Sequence, residues 1–269
     1  MKVKDLDIVY ESSAGLLKRS SFTAVSAANF EIPTGRIIGL VGESGSGKTS
    51  LGRALLKAIP FQAGSIHYQF KDEKFDLNGL SGSSLKAFRQ HAQMVFQDPY
   101  GSLNPRLTVR DIIAEPLEAM QLTQNRNVTD VRVREIVTRC RLDLEHLRRF
   151  PHAFSGGQRQ RISIARALIC RPSFIVADEA VAALDVSIQA EILELMKELQ
   201  KELGLTILFI SHDLSVIANL CEQVIVIQHG KIVEQGPVEQ IFLEPKEDYT
   251  RNLISAIPTL DNLGEINAS

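Results

Sequence analysis

A glycine-rich segment near the start of the chain has the composition of a phosphate-binding loop. Residues 42–49 directly follow an apolar run at 36–41 that predicts a strand, and they precede a predicted helix at 49–58. Glycines let successive backbone N–H groups turn towards phosphate oxygens, and the helix start adds the positive end of its dipole. Lys48 is predicted to neutralise phosphate charge and Thr49 to bind Mg²⁺. The residues predicted to contact phosphates here are Gly42, Ser44, Gly45, Ser46, Gly47, Lys48, Thr49 and Ser50.

Two adjacent carboxylates follow a second apolar run, at residues 174–177. Asp178 is predicted to hold Mg²⁺, directly or through water, because this ion prefers few protein ligands and keeps most of its waters. Glu179 is predicted to orient and deprotonate an attacking water, since phosphoryl transfer leaves the protein mainly positioning and charge stabilisation to do. Paired acids at the end of a strand also cap helices, but a phosphate loop needs such a partner.

Length and composition set the frame for these groups. With 269 residues, 44% of them hydrophobic, the chain can bury a full core as one α/β domain. The longest apolar runs have the length of strands, so no membrane span is expected, and the first residues lack the pattern of a signal peptide. A net charge of −2 gives no global basic field, so nucleic acid is not an expected partner.

Cysteine and histidine contents point to a reduced protein without a structural metal site. The chain has 3 cysteines, widely spaced, which favours buried thiols over a disulfide framework. Its 6 histidines show no metal-ligand spacing. Because the sequence shows neither a membrane span nor the pattern of a signal peptide, we expect the chain to lie in the cytosol.

Apolar patterns predict alternating strands and helices. Strands are predicted at residues 3–10, 36–41, 66–70, 174–177, 206–210 and 224–228. Apolar residues from Ile188 to Leu203 recur at three- and four-residue steps, which predicts an amphipathic helix that Gly204 ends. The order of strand, helix and strand from 174 to 210 is typical of a parallel βαβ unit with a right-handed crossover.

The middle of the chain changes to a mostly helical pattern. Helices are predicted at residues 109–120 and 130–141, within an insertion spanning about 99–170. We predict a nucleotide-binding domain at residues 1–236 that includes this helical subdomain. A short C-terminal extension at 237–269 is expected to end in a polar, frayed tail.

The most specific segment reads Phe-Ser-Gly-Gly-Gln at residues 154–158 and continues as Arg-Gln-Arg-Ile-Ser-Ile-Ala-Arg-Ala-Leu. Ser155 is predicted to cap a helix whose first N–H groups and glycines form an anion site. With the phosphate loop and the paired acids, this segment resembles the ABC ATPase family. The resemblance implies an ABC-type P-loop domain of the α/β class, with a RecA-like core, an antiparallel β subdomain and an inserted helical subdomain.

The same resemblance implies that two facing copies of the fold bind ATP and Mg²⁺ between them. Ser155, Gly157 and Gln158 are then expected to contact the γ-phosphate held by the opposite subunit.

Three further residues take their expected roles from this resemblance. Gln97 resembles the catalytic glutamine that touches Mg²⁺ and water and relays the nucleotide state into the helical insertion. Asp185 resembles the acid that crosses the dimer interface, and His212 resembles the catalytic switch histidine at the γ-phosphate. Tyr10, predicted to end the first strand, is a candidate for stacking on adenine, with core or surface packing as the alternative.

Two positions depart from the family pattern. After Glu179, the usual Pro-Thr-Ser is replaced by Ala180, Val181 and Ala182, while every charged group persists. We expect slower or retuned hydrolysis at most, because proline mainly restricts the chain. Phe154 replaces the common leucine, which changes packing and not charge.

Several segments are similar to one branch of the family, the ATPases of oligopeptide and dipeptide importers. They lie at residues 97–106, 15–19, 230–237 and 249–253. The branch implies an ATPase that energises import of peptides or related small solutes from the cytoplasmic face of the membrane. Its partners would be a second ABC ATPase, paralogous or identical, two permeases and, indirectly, an external solute-binding protein.

Within that branch, residues 100–110, including Leu103, are the candidate contact with the permeases, and an ordinary surface loop is the alternative. Many members carry a cysteine-containing tail for an iron–sulfur cluster. This sequence ends without one, so no cluster is expected.

Two rival functions use the same nucleotide site. Close relatives of the branch serve a soluble enzyme assembly in phosphonate breakdown, and motifs cannot separate that role from transport. The form of residues 97–106 favours transport. A regulatory nucleotide sensor is a third possibility, and the presence of Glu179 and His212 argues against it.

Overall fold

The computed structural model describes residues 1–14 and 18–256. The strands are β1 (Lys2–Ala14), β2 (Lys18–Glu31), β3 (Ile37–Val41), β4 (Ala63–Phe70), β5 (Glu73–Asp76), β6 (Ala92–Val95), β7 (Phe174–Asp178), β8 (Thr206–Ile210), β9 (Gln223–Gln228) and β10 (Lys231–Pro237). The α-helices are α1 (Lys48–Leu55), α2 (Gly82–His91), α3 (Pro99–Ser102), α4 (Val109–Ala119), α5 (Arg126–Arg139), α6 (Gly156–Leu168), α7 (Val186–Leu203), α8 (Leu214–Leu220), α9 (Val238–Leu243) and α10 (Asp248–Ser255). Short 3₁₀ helices occupy Leu144–Arg148 and Pro151–Ala153.

The larger sheet brings the chemically important loops to one edge. Its order is β10-β9-β3-β8-β7-β6, and β3, β8, β7 and β6 run parallel. The carboxyl ends of parallel strands meet at one edge, where open α/β sheets bind their ligands. Gly42 follows β3, Gln97 lies just beyond β6, Glu179 follows β7, and His212 lies just beyond β8.

A second, antiparallel sheet covers α1. Its strand order is β2-β1-β4-β5. Strand β3 is buried on both faces, so Ile38 and Leu40 pack in the core shared with the antiparallel sheet, whereas Ile37 and Val41 pack in a second core. Leu51 and Leu55 of α1 belong to the first of these cores, and both are fully buried. The phosphate loop is therefore attached to two packed layers.

Helices fill the stretch between β6 and β7. Val109 and Ile113 of α4, Val137 of α5 and Ile162 of α6 are fully buried in the second core, together with Val95 of β6. The helical stretch thus shares one core with the parallel sheet.

Most predicted elements are confirmed, with shifted ends. Residues 206–210 form a strand as predicted, and the helix ending at Leu203 stops at Gly204 in the left-handed conformation, φ 63°. The predicted βαβ unit is parallel, since β7 pairs with β8. The helix predicted at 49–58 ends earlier, at Leu55, and the one predicted at 130–141 begins earlier, at Arg126.

Two expectations about strands were wrong. Strand β1 does not end at Tyr10 but continues to Ala14, where it pairs with the long strand β2. Sequence patterns also missed β2, β5, β6 and β10, which are rich in polar residues or very short. Residues 15–17, part of one segment similar to the importer branch, lie outside the described residues.

The three cysteines are buried, as predicted. Burial raises the pKa of Cys140 to about 12 and that of Cys170 to about 11, so both thiols stay protonated at neutral pH. Along the described residues, no helix combines the length and the apolarity that a membrane crossing requires.

Candidate functional site

The phosphate loop fits closely against the backbone of both sheets. Gly47, with φ 105°, precedes α1, and a Cβ there would lie 2.3 Å from the Ala24 carbonyl oxygen. A Cβ on Gly42 would lie 2.1 Å from the Ile227 carbonyl oxygen. These approaches exclude any side chain at the two positions. The Ser46 hydroxyl is buried and has no hydrogen-bond partner among the described residues, which suits a loop built around a ligand.

Lys48 places its charge inside this loop. Its side chain is buried, and Nζ donates hydrogen bonds to the carbonyl oxygens of Gly42 at 2.7 Å and Glu43 at 2.8 Å. Burial lowers the pKa of Lys48, while the charges of Glu179 and Asp178 oppose that shift. An ammonium group held by carbonyl oxygens alone lacks a hydrogen-bonded counter-ion, which favours an incoming phosphate.

Thr49 and Asp178 form a pair of oxygen donors. The Thr49 hydroxyl donates to Asp178 Oδ1 at 3.1 Å, and Asp178 is only 4% exposed. Burial raises the pKa of Asp178, and the hydrogen bond from Thr49 acts in the opposite direction. Both residues line a groove of about 550 Å³ together with Gln97. Hydroxyl, carboxylate and amide oxygens suit Mg²⁺, so the three side chains fit the predicted ion.

Glu179 lies between the other two predicted catalytic residues. Gln97 Nε2 donates to Glu179 Oε2 at 2.8 Å, and His212 Nδ1 lies 3.4 Å from Glu179 Oε1. The Glu179 side chain is 19% exposed, and its backbone N–H donates to Ile210 O at 2.9 Å. Its φ of 47° is left-handed, a conformation that costs energy for a non-glycine residue and is typical of functional sites. One carboxylate is thus held on both of its oxygens.

Tyr10 lies beside the phosphate loop. Its hydroxyl donates to the Ser50 hydroxyl at 3.1 Å, and the residue is 42% exposed. The structure therefore does not bury Tyr10 in the core, and its aromatic ring stays accessible next to α1.

Ser155 caps α6, as predicted. Its hydroxyl accepts from the backbone N–H of Gln158 at 3.3 Å, and Gln158 Oε1 accepts from the backbone N–H of Ser155 at 3.1 Å. This reciprocal capping box leaves the N–H groups of Gly156 and Gly157 without a partner among the described residues. A Cβ on Gly157 would lie 2.4 Å from Ile188 Cγ2, so α6 begins in contact with α7.

Asp185 precedes α7 and makes no side-chain capping bond to it. The residue is exposed, and the next one, Val186, is 85% exposed. The carboxylate of Asp185 and the side chain of Val186 therefore both lie at the surface of the described chain.

The structure thus separates the predicted residues into two groups. In the first group, hydrogen bonds, an ion pair and a shared groove join Thr49, Asp178, Gln97, Glu179 and His212. Three further residues belong to the phosphate loop or lie beside it: Lys48 bonds to Gly42 and Glu43, and Tyr10 bonds to Ser50. In the described parts of the chain, no hydrogen bond or ion pair connects these residues to the second group, Ser155, Gly157, Gln158 and Asp185.

The family whose model matches this chain is described as ABC transporter, and the match covers residues 25–182. The chain belongs to the ABC transporter family. Its phosphate loop, paired acids and capped glycine turn all lie within the matched residues.

Two relatives place this ABC protein more narrowly. It is 45% identical to the oligopeptide transport ATP-binding protein OppF of Streptococcus mutans serotype c, over 97% of this chain and 82% of the relative. It is 44% identical to the dipeptide transport ATP-binding protein DppF of Lactococcus lactis subsp. cremoris, over 98% of this chain and 83% of the relative. The predicted resemblance to the oligopeptide and dipeptide branch is confirmed.

A solved structure agrees with the fold. The dimeric, post-hydrolysis state of the ATP-binding cassette MJ0796, bound to ADP and Pi, is 26% identical, with a TM-score of 0.75 over 88% of this chain and 98% of the other. The predicted fold class is confirmed, and the chain is an ATPase of the ABC type.

Sequence reasoning missed one residue of this ABC site, Arg166 in the last turn of α6. Its Nη1 donates to the Ser102 carbonyl oxygen at 2.7 Å, and its guanidinium lies 5.8 Å from the centre of the Phe96 ring. Burial lowers the pKa of Arg166, and the charge of Glu115 opposes the shift. Arg166 therefore holds the loop that carries Gln97 against the helix that begins at Ser155. Its position within the recognised motif was the only available signal.

One expectation is corrected. Leu103 is 2% exposed and packs in the core, so it cannot be a contact with a permease. Among the described side chains of the same stretch, the exposed residues are Gly101, Asn104, Pro105 and Arg106. Leu103 directly follows the short helix α3. Its apolar side chain packs in the core, whereas the exposed residues around it remain at the surface.

Proposed function

We propose that this chain is the ATP-hydrolysing subunit of an importer of peptides or related small solutes, acting at the cytoplasmic face of the membrane. The observation that carries the hydrolytic part is the arrangement of Gln97, Glu179 and His212 beside the phosphate loop. The importer part rests on the similarity to relatives named for oligopeptide and dipeptide transport. We further propose that residues 1–236 act as the nucleotide-binding domain, with a helical subdomain at about 99–170.

In the proposed reaction, backbone N–H groups of the loop and the Lys48 ammonium bind the phosphates. Glu179 accepts a proton from water as the water oxygen attacks the γ-phosphorus, and ADP leaves with the electrons of the broken P–O bond. Gln97 and His212 orient the two oxygens of Glu179. Thr49, Asp178 and Gln97 would hold Mg²⁺, whose positive charge would offset the charge on the phosphate oxygens. Tyr10 offers its ring to adenine.

The second group of residues acts across a dimer in this proposal. Ser155, Gly157 and Gln158 bind the γ-phosphate held by the facing subunit, and Asp185 crosses the interface. The exposed Val186 and the two unpaired N–H groups at the start of α6 support this assignment. ATP then closes the two subunits, and hydrolysis lets them open. The second subunit is either a paralogue or an identical chain, and two permeases lie above the pair.

The test is to tag the protein in its own cell, solubilise the membranes gently and identify what co-purifies. Two polytopic permeases and a second ATPase are expected, and the associated solute-binding protein would indicate the solute. Recovery only from the soluble fraction, with metabolic enzymes attached, would contradict the importer role and favour a soluble assembly.

The permease contact can be tested in the same preparation. Arg106 is exposed, so Arg106→Glu is expected to reduce recovery of the permeases while leaving ATP hydrolysis in the free protein intact. Arg134→Glu, an equally exposed position on α5, is the matched control and should not reduce recovery. Equal recovery from both variants would remove residues 104–106 from the contact.

A further inference from the structure

The C-terminal helices reach back to the phosphate loop. The Tyr249 hydroxyl, on the first turn of α10, accepts a hydrogen bond from the backbone N–H of Glu43 at 3.0 Å. These residues are 206 positions apart in sequence. The contact involves the first residue after Gly42, and it comes from the extension beyond residue 236.

This bond holds one particular peptide group of the loop. The peptide between Gly42 and Glu43 presents its carbonyl oxygen to Lys48 Nζ at 2.7 Å and its N–H to Tyr249 at 3.0 Å. Both polar atoms of that peptide are therefore engaged from opposite directions. A peptide fixed in this way keeps the neighbouring loop amides and Lys48 in one arrangement, which reduces the conformational entropy that phosphate binding would otherwise cost.

The first turn of α10 is itself anchored. Glu234 of β10 is 8% exposed, and its carboxylate accepts from the backbone N–H groups of Lys246 at 2.9 Å and Glu247 at 3.3 Å. Burial opposes ionisation of this group, but its hydrogen bonds, including those from the two backbone N–H groups, and the charge of Lys246 together hold the pKa of Glu234 below its ordinary value. Ile254 of α10 is buried in the same core as Val41, the last residue of β3.

The chemistry of Tyr249 suits an acceptor. Burial raises the pKa of Tyr249; the hydrogen bond from the Glu43 N–H opposes the rise, and the Glu43 charge adds to it. The hydroxyl therefore stays neutral at physiological pH, and its oxygen is available to the Glu43 N–H. A phenylalanine would keep the packing of the ring and remove only this contact.

We propose that Tyr249 is a positioning residue for the phosphate loop, through which the anchored C-terminal helices set the affinity for ATP. The proposal rests on the proposed role of this loop in binding ATP. It assigns a task to the segment 249–253, which the hydrolytic mechanism leaves without one.

The test compares Tyr249→Phe with Tyr68→Phe in the full-length chain. Tyr68 is the matched control, because its hydroxyl also has one partner, Ser173 Oγ at 2.6 Å, in a buried site away from the loop. Tyr249→Phe is expected to raise the KM and the Kd for ATP about three- to tenfold, the equivalent of one lost hydrogen bond, without a comparable change in kcat. Tyr68→Phe is expected to leave both ATP parameters unchanged while lowering Tm.

A second measurement does not depend on ATP. Hydrogen exchange of the Glu43 amide, in protein without nucleotide, is expected to be faster in Tyr249→Phe than in the wild type or in Tyr68→Phe. If exchange is faster in Tyr249→Phe but the wild-type protein does not bind ATP, the proposed function is contradicted. The hydrogen bond between Glu43 and Tyr249 is still supported in that case. Unchanged exchange together with an unchanged Kd would overturn the positioning role.

Glu234→Gln tests the anchor. Its effect on the Kd for ATP should have the same direction as that of Tyr249→Phe, and the double variant should weaken binding by less than the product of the two single effects. If the double variant raises the Kd for ATP by the full product of the two single effects, Glu234 and Tyr249 do not act through the same C-terminal helices.

Discussion

The cluster around Glu179 and the turn at Ser155 are built in opposite ways. Glu179 has both carboxylate oxygens engaged, by Gln97 and by His212, and its backbone is tied to β8. The turn at Ser155 bonds only to itself, through the capping box with Gln158, and leaves two N–H groups without partners in the described chain. Side chains of this chain hold the first region, whereas two backbone N–H groups of the second have no partner among the described residues, as the proposed division of the site requires.

Helix α6 sets the separation between these regions. From Gly156 at its start to Arg166 in its last turn, ten helical steps span about 15 Å. Arg166 contacts Phe96, the neighbour of Gln97, so the far end of α6 lies at the Gln97 loop. The start of α6 lies instead beside the turn before α7, because a Cβ on Gly156 would lie 3.2 Å from Leu184 Cδ2. The difference between the regions supports the proposal that the site is divided between two subunits.

The largest effect is expected in the first region. Glu179→Gln keeps the hydrogen-bonding shape of the side chain and removes its basicity, so ATP hydrolysis should fall roughly a hundred- to ten-thousandfold while ATP binding persists. Paired measurements of turnover and ATP Kd check this, with Glu31→Gln, at an exposed ion pair with Lys2, as the control. A monomeric variant that turns over normally would refute the assignment.

A smaller loss is expected in the second region. Ser155→Ala should reduce hydrolysis about ten- to a hundredfold, as expected for lost hydrogen bonds to a charged group, and should leave the ATP Kd of the isolated subunit unchanged. The control is Asn125→Ala, which removes the cap of α5 and should lower stability by a comparable amount. The Asn125 side chain accepts a hydrogen bond from the backbone N–H of Asn127 at 2.9 Å. If Asn125→Ala impairs hydrolysis equally, Ser155 acts only as a helix cap.

Arg166 tests the connection between the two regions. Arg166→Ala frees the Ser102 carbonyl and the Phe96 ring, so Gln97 loses its fixed position and hydrolysis should fall about tenfold at an unchanged ATP Kd. Arg166→Lys retains the charge and one donor and should restore part of the rate. A parallel rise in the ATP Kd, or no rescue by lysine, would indicate general destabilisation instead.

The smallest effect is expected at the departure from the family pattern. Ala180 and Val181 are buried, and the Ala180 N–H donates no hydrogen bond among the described residues. Ala180→Pro therefore sacrifices no backbone bond, and the ATPase rate should stay within about twofold of the wild type. A much larger increase would show that the missing proline holds Glu179 in place.

The sequence predicted those parts of the site whose residues are contiguous in the chain. The phosphate loop, the acids at 178 and 179 and the cap at Ser155 each depend on local geometry, and each occupies the predicted kind of element. The parallel order of β7 and β8 followed from the apolar helix between them, because a crossover of that kind has few alternatives.

The remaining features depend on distant contacts that leave no local pattern. The hydrogen bond between Glu43 and Tyr249 joins positions 206 residues apart, and the role of Arg166 depends on Ser102, 64 residues away. Strand β2 escaped prediction because its first residues, 18–21, are all charged or polar, and its buried residues include only Val25 and Phe30 besides small alanines. Leu103 was placed at the surface because turn residues surround it, whereas the core of the helical stretch buries it.

The divided site can be tested directly by complementation. One copy carrying Glu179→Gln and another carrying Ser155→Arg are given different tags, and mixed pairs are isolated through both tags. Each variant alone should be inactive, but a mixed pair contains one site with an intact Glu179 and an intact Ser155, so it should recover about half of the wild-type rate. Mixed pairs that form and remain inactive, or an absence of any pairing between copies, would contradict a site shared by two copies of this chain.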